Sequence, residues 1–395
     1  MNPDPGIRSE EALLLSLCRL RLTDETTAKI RSLCPGVTDW NYFSKLTARH
    51  GVDALVYLNL GKAGLLQDIP SAVAGRLKNA MMISLSRNIS HSLVMGEVLK
   101  MLNGNNIKTV LLKGLALELS EYGNTGLRQM SDIDILVKKE QCLEARNILL
   151  RSGFRSLPVK SVLHRPILSS IGKHLPTLIK SSVSVEIHTE LFGAGARGLT
   201  DVLVNNSYEI DLEGQKAYIP QPALFFLYLV RHLFLHELKR ESQLRLYTDL
   251  TVLIDNHRDE IFNPMLLLYA GEAGLEKILS QKLESLKIFW DIELPDWLND
   301  FTAKHHDPSA AGSFIFFLKS PGDNILPDNS ASYRQAIRDI PGFHRKLLYV
   351  AGDILPTISF MKKRYRCSST LRALLHYPLR LGKLFYLFGQ GGLRN

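Results

Sequence analysis

Two aspartates, Asp132 and Asp134, stand two residues apart in SDIDILVKK (131–139), a run that reads as a buried strand. At a strand's period of two, both carboxylates point to one face. An isolated Asp-x-Asp on a strand edge is usually a solvated face. Here Ile133, Ile135 and Leu136 make the strand core-like, and paired like charges there are costly unless something neutralises them. Mg²⁺ or Mn²⁺ would do so, because hard cations take carboxylate oxygens together with substrate phosphates. In two-metal phosphoryl chemistry such ions clamp the attacking and leaving oxygens of an in-line displacement. A third carboxylate normally comes from a neighbouring strand, and Glu186 in the alternating run Val183–His188 is placed to supply it. His188, two residues further on, faces the same way and could support the site or act in it.

Upstream, Lys113-Gly114 ends the short apolar run IKTVLLKG (107–114) at a strand-to-helix turn. Glycine lets a backbone approach a phosphate closely, and a new helix offers free N–H groups to an anion. Lys113 would add a point charge and Arg128 a bidentate fork. The competing readings are plain ones: Lys113 as a surface lysine at a strand end, Arg128 as the partner of an aspartate. Together the parts match a nucleoside triphosphate: a phosphate cradle, then two carboxylates, then a third.

These residues need a frame. Residues 1–103 read as a helical region, with a helix opening at Ser9, another at Asp39-Trp40 running to about Leu60, and a long one after Pro70. Between 104 and 220 the period changes to strand, helix, strand, helix, strand, which makes a small α/β or α+β core. From 221 to 302 the text is helical again. Residues 303–332, with HHDPSAAG, SPGDN and LPDNSAS, read as a loop or linker, and 333–395 as a basic helical segment.

Other signals weigh less. GAGARG (193–198) matches Gly-x-Gly-x-x-Gly, but the helix a dinucleotide site requires is barely two turns long. His232 and His236 are spaced for a metal but lack the zincin glutamate, and His305-His306-Asp307 reads as an exposed loop. Cys18, Cys34, Cys142 and Cys367 lie too far apart for a zinc site or disulfide framework. The N-terminus lacks a secretory pattern and no uncharged apolar run is long enough to span a bilayer, so the cytoplasm is the expected compartment. The net charge of +9 is uneven. Residues 361–395 hold eight Lys and Arg and no Asp or Glu, so that tail carries +8 and the rest of the chain +1. Such a tail could meet RNA phosphates, an acidic partner or the anionic inner surface of a membrane, or simply close the fold.

The pattern Lys113-Gly114-x-x-Leu117, then Tyr122, Gly126, Arg128 and Asp132-Ile-Asp134-x-Leu136-Val137, resembles the bacterial uncharacterised nucleotidyltransferase family. The resemblance extends to Glu186-Ile-His188, His232, Arg245-x-x-x-Asp249, Asp39-Trp40 and His50-Gly51. It implies an α+β fold: a polymerase-β-like core, a small mixed sheet with helices, flanked by N-terminal and C-terminal helical regions. It also implies transfer of a nucleoside monophosphate from an NTP, with Asp132, Asp134 and Glu186 holding the metal and Lys113, Gly114 and Arg128 the nucleotide. The acceptor stays open among protein, peptide, saccharide and RNA. Leu115 departs from the Gly or Ser that the wider superfamily places after the turn glycine, which keeps a non-catalytic nucleotide-binding scaffold as the alternative. A tRNA-modifying transferase using the basic tail is a third reading.

Overall fold

The computed structural model describes residues 6–170, 174–193, 195–239, 241–319 and 329–389. Five helices come first: α1 (Ser9–Leu17), α2 (Asp24–Leu33), α3 (Trp40–His50), α4 (Asp53–Lys62) and the long α5 (Ser71–Asn103). Asp39 caps α3 by accepting the Tyr42 N–H at 2.8 Å. The periodicity predicts a single helix to about Leu60, but Gly51 at φ +66° takes the left-handed conformation that ends α3, and α4 starts afresh. The N-terminal helices are sealed by a distant element, α12 (Glu276–Trp290). Trp290 donates its indole N–H to the Cys18 carbonyl (3.1 Å), and Arg19 donates back to the Trp290 carbonyl (2.8 Å).

The middle of the chain builds one seven-stranded mixed sheet. In chain order it runs β1 (Val110–Leu112), α6 (Lys113–Leu117), β2 (Ile133–Leu136), α7 (Cys142–Arg151), β3 (Arg155–Ser156), β4 (Leu178–Lys180), β5 (Val183–His188), α8 (Arg197–Asn205), β6 (Tyr208–Leu212) and β7 (Gln215–Ile219). The spatial order is β3-β4-β5-β2-β1-β7-β6. The central β1 and β2 are antiparallel, with Leu112 opposite Asp134, while β2 and β5 are parallel, with Asp134 beside Glu186 and Leu136 beside His188. Every residue of β1 and β2 is buried, as strands covered on both faces must be. The strand expected over 131–139 is shorter than that, so Asp132 precedes it. The edge hairpin β6–β7 and the strands β3 and β4 add to the three strands that the sequence pattern predicts. Their polar alternation, as in YEIDLEGQKAYI, belongs to edges that face solvent.

Helices follow to the end of the described chain: α9 (Pro222–Leu238), α10 (Leu244–Ile261), α11 (Met265–Ala273), then α12, α13 (Asp296–Lys304), α14 (Ala310–Lys319), α15 (Asn329–Asp339), α16 (Phe343–Ile354), α17 (Ile358–Arg364) and α18 (Thr370–Gly389). The stretch 303–332, expected as a loop, therefore carries α14 and the start of α15. Phe314 and Leu318, four apart, are buried there, and Phe314 meets the Tyr247 ring edge-on, so apolar spacing outweighs the flanking turn residues. Residues 320–328 of that stretch lie outside the described residues, as do Ala194 of GAGARG and 390–395 of the basic tail.

One glycine ties the N-terminal helices to the core. Gly126 has φ +94°, and a Cβ there would lie 2.7 Å from Leu85 Cα in the middle of α5. Its N–H donates to the Glu118 carboxylate (3.2 Å), which also accepts from Asn88 of α5. Gly126→Ala should combine backbone strain with a clash against backbone, and is expected to cost about 3 kcal/mol in chemical denaturation.

Candidate active site

Lys113 closes β1 with a positive φ of +49°, turning the chain directly into α6. Its side chain is buried, and its ammonium donates to Asp134 Oδ1 at 2.6 Å. The same oxygen lies 2.7 Å from His188 Nε2, which comes from β5 across the parallel β2–β5 pair. Burial alone would raise the Asp134 carboxyl, but the Lys113 charge and the His188 contact hold it well below the usual carboxylate range. Burial pushes His188 down to about 4, helped by Lys113 and opposed by Asp134, so its imidazole is neutral around pH 7. Its Nδ1 is buried without a hydrogen-bond partner.

Glu186 lies beside Asp134 in register, and burial raises its carboxyl above the ordinary range. His174 works against that rise, with its Nε2 3.1 Å from Glu186 Oε2, and Asp134 adds to it. Thr177 donates to the other Glu186 oxygen at 3.2 Å. One ligand atom from each of Asp134, Glu186 and His188 lies within 4.8 Å of the others. Two carboxylates and a neutral imidazole could together hold a divalent cation, and the carboxylates are the oxygen donors that a hard cation takes.

The residues expected at this site separate into two groups. Lys113, Asp134, Glu186 and His188 converge. Asp132 is half-buried one residue before β2, accepts from the Ser131 hydroxyl (2.8 Å), and is not part of the close trio. It still lies near enough to act electrostatically on Lys113 and Glu186. Arg128 is committed elsewhere. Its Nε and one terminal nitrogen donate to the two Asp249 oxygens at 2.8 and 2.7 Å, and both residues are buried. Tyr122 donates to the same carboxylate at 3.0 Å.

That pair also accounts for Gly114. A Cβ at this position would run into the Arg128 guanidinium and come within 2.8 Å of Met130, so Gly114 makes room for Arg128. Leu115 is fully buried in the core beneath the turn.

Two further residues border the cluster, His174 and Tyr228, and a third, Arg245, lies beside Arg128. His174 comes from an irregular stretch with no periodic signal. Tyr228 of α9 sits in an almost wholly apolar helix and reads as core. Its hydroxyl is buried without a hydrogen-bond partner, and burial, Lys113 and Asp134 all act on its ionisation. Arg245 of α10 donates to the Gln129 carbonyl and to Gln243 Oε1, with no carboxylate in ion-pair range among the described residues. Burial, then neighbouring Arg128, lowers it to about 10, while Asp249 and Asp132 oppose the shift. Its only sequence signal was the Arg245-x-x-x-Asp249 spacing.

A family model described as "Uncharacterised nucleotidyltransferase" matches residues 36–291, a span holding every residue of this site. A search of curated proteins returns no match. Among solved structures, the antibiotic-resistance factor ANT(2'')-Ia in solution is 10% identical, with a TM-score of 0.35, covering 48% of this chain and 96% of its own. A crystal structure of ANT(2'')-Ia with adenylyl-2''-tobramycin is 8% identical at a TM-score of 0.33, covering 47% and 98%. An antigenic nucleotidyltransferase-like protein from Paracoccidioides brasiliensis is 15% identical at 0.33, covering 51% and 93%.

Proposed function

The chain belongs to the uncharacterised nucleotidyltransferase family, and from that premise we propose that it moves a nucleoside monophosphate from an NTP to an acceptor hydroxyl, releasing pyrophosphate. The observation that carries this reading is the convergence of Asp134, Glu186 and His188 on one face of β2 and β5. Asp134 and Glu186, with His188 beside them, would hold Mg²⁺ or Mn²⁺, and Asp132 stands near as a further carboxylate. The bound cation supplies charge neutralisation for the triphosphate and alignment of the displacement. The acceptor oxygen forms a bond to the α-phosphorus while the bond from that phosphorus to the bridging oxygen of the pyrophosphate breaks. The acceptor's proton goes to a carboxylate. Glu186, whose affinity for a proton is raised by burial, is the group suited to take it if it is not ligating. Lys113, whose ammonium already touches Asp134, is the cation at the site that would meet the phosphates.

A second reading keeps one observation of its own. Lys113 already occupies Asp134 Oδ1, as it would in a scaffold that binds nucleotide without turning it over. Isothermal titration of each NTP, with and without Mg²⁺, separates the two. Mg²⁺-dependent binding that is lost in Glu186→Gln supports the transferase. Binding indifferent to both Mg²⁺ and the substitution supports the scaffold and overturns the proposal.

A further inference from the structure

The C-terminal helices carry an exposed apolar surface outside the site described above. On α18, Leu371, Leu374, Leu375 and Leu379 are 70, 48, 69 and 60% exposed. Spacings of three, four and eight residues put all four on one side of the helix. The opposite side is pinned to the protein. Ala373 is fully buried, Tyr377 donates its hydroxyl to the Pro356 carbonyl, and Arg380 Nε donates to the Asp353 carbonyl at 2.9 Å. His376 stacks on Tyr365 with ring centroids 4.3 Å apart. The helix therefore has a defined inside, and its leucine row points outward by construction.

The same segment is cationic. Lys363, Arg364, Arg366 and Arg372 are exposed on α17, the turn after it and the first turn of α18. The sequence from 361 onward contains no acidic residue to offset them. A row of aliphatic side chains on a segment whose charged residues are all cations complements a surface that is apolar beneath and anionic on top. That is a bilayer rich in acidic lipid, where each basic residue near the surface contributes about 1 kcal/mol. An acidic protein or RNA would match the cations and leave the leucines in water. No helix among the described residues is long and apolar enough to cross a membrane, so the contact is one of lying on the surface. We infer that the outer face of α18 docks this protein on an anionic membrane surface, with Leu371, Leu375 and Leu379 entering the headgroup boundary. The inference stands independently of the proposed transferase reaction.

Co-sedimentation of the full chain with vesicles tests it. Phosphatidylglycerol–phosphatidylcholine vesicles should bind it at least tenfold more tightly than phosphatidylcholine alone, and less so as salt is raised. Leu371→Ser/Leu375→Ser/Leu379→Ser should lose at least tenfold of that binding with an unchanged circular dichroism spectrum, since all three side chains are already in water. Lys363→Ser/Arg366→Ser/Arg372→Ser should lose a similar amount and leaves the apolar row intact. Equal affinity for neutral vesicles, or none for anionic ones, overturns the inference. So does retention on RNA that the serine triple leaves untouched while vesicles go unbound. A dimer in sedimentation velocity that the serine triple dissociates, again without vesicle binding, assigns the face to a second copy instead.

Discussion

Glu186→Gln should lower nucleotidyl transfer about 10³-fold, or about 4 kcal/mol of transition-state stabilisation, while the thermal midpoint barely moves. The substitution keeps shape and removes charge. Thr177 can still donate to the remaining side-chain oxygen, and the strand pairing of β5 is untouched. What disappears is a carboxylate that can ligate a cation or take up a proton. Asp134→Asn is a poorer first experiment, because it leaves the buried Lys113 ammonium without its counter-charge. Breaking a buried pair from one side costs about 3–5 kcal/mol, so lost activity would be confounded with lost fold. Steady-state turnover together with a melting curve checks the prediction. Wild-type turnover in a well-folded Glu186→Gln protein would remove Glu186 from the chemistry.

The largest stability effect is expected at a residue outside the trio. Asp249→Leu strips the Arg128 guanidinium of both its carboxylate contacts and Tyr122 of its acceptor, in a region closed to water. A loss of about 3–5 kcal/mol in urea denaturation is expected. Arg128→Met/Asp249→Leu should recover most of it, because an apolar pair needs no hydration in the first place. The double variant also decides what Arg128 is for. If NTP affinity survives in the refolded double variant, Arg128 positions the turn around Gly114. If affinity falls at least tenfold with stability restored, the guanidinium reaches the triphosphate as well.

Much of the core was legible because its signals are local. The apolar run ending in Lys113-Gly114, the Asp-x-Asp strand and the alternation of Val183–His188 each depend on neighbours in sequence, and the sheet sets them side by side. The partners were harder to see. Arg128 meets Asp249 121 residues later, and nothing in the periodicity of either segment names the other. Asp132 and Asp134 looked equivalent by spacing, yet the strand starts between them, leaving one half-buried and the other enclosed by Lys113 and His188. Tyr228 and His174 carry no pattern at all. An aromatic in an apolar helix reads as core until a neighbouring charge is placed beside it, and His174 sits in a stretch with no period to follow.

The seal between Trp290 and Cys18 sets a timetable for synthesis. α1 leaves the ribosome well before α12, because the indole that satisfies the Cys18 carbonyl is 272 residues further along the chain. At roughly 5–20 residues per second, the wait is on the order of tens of seconds. For that interval the buried leucines of α1 lack the wall that α12 later provides, and the nascent chain offers chaperones an apolar face. The N-terminal helices are thus made well before the element that completes them, and a fragment ending at Asn103 should be a client for chaperones.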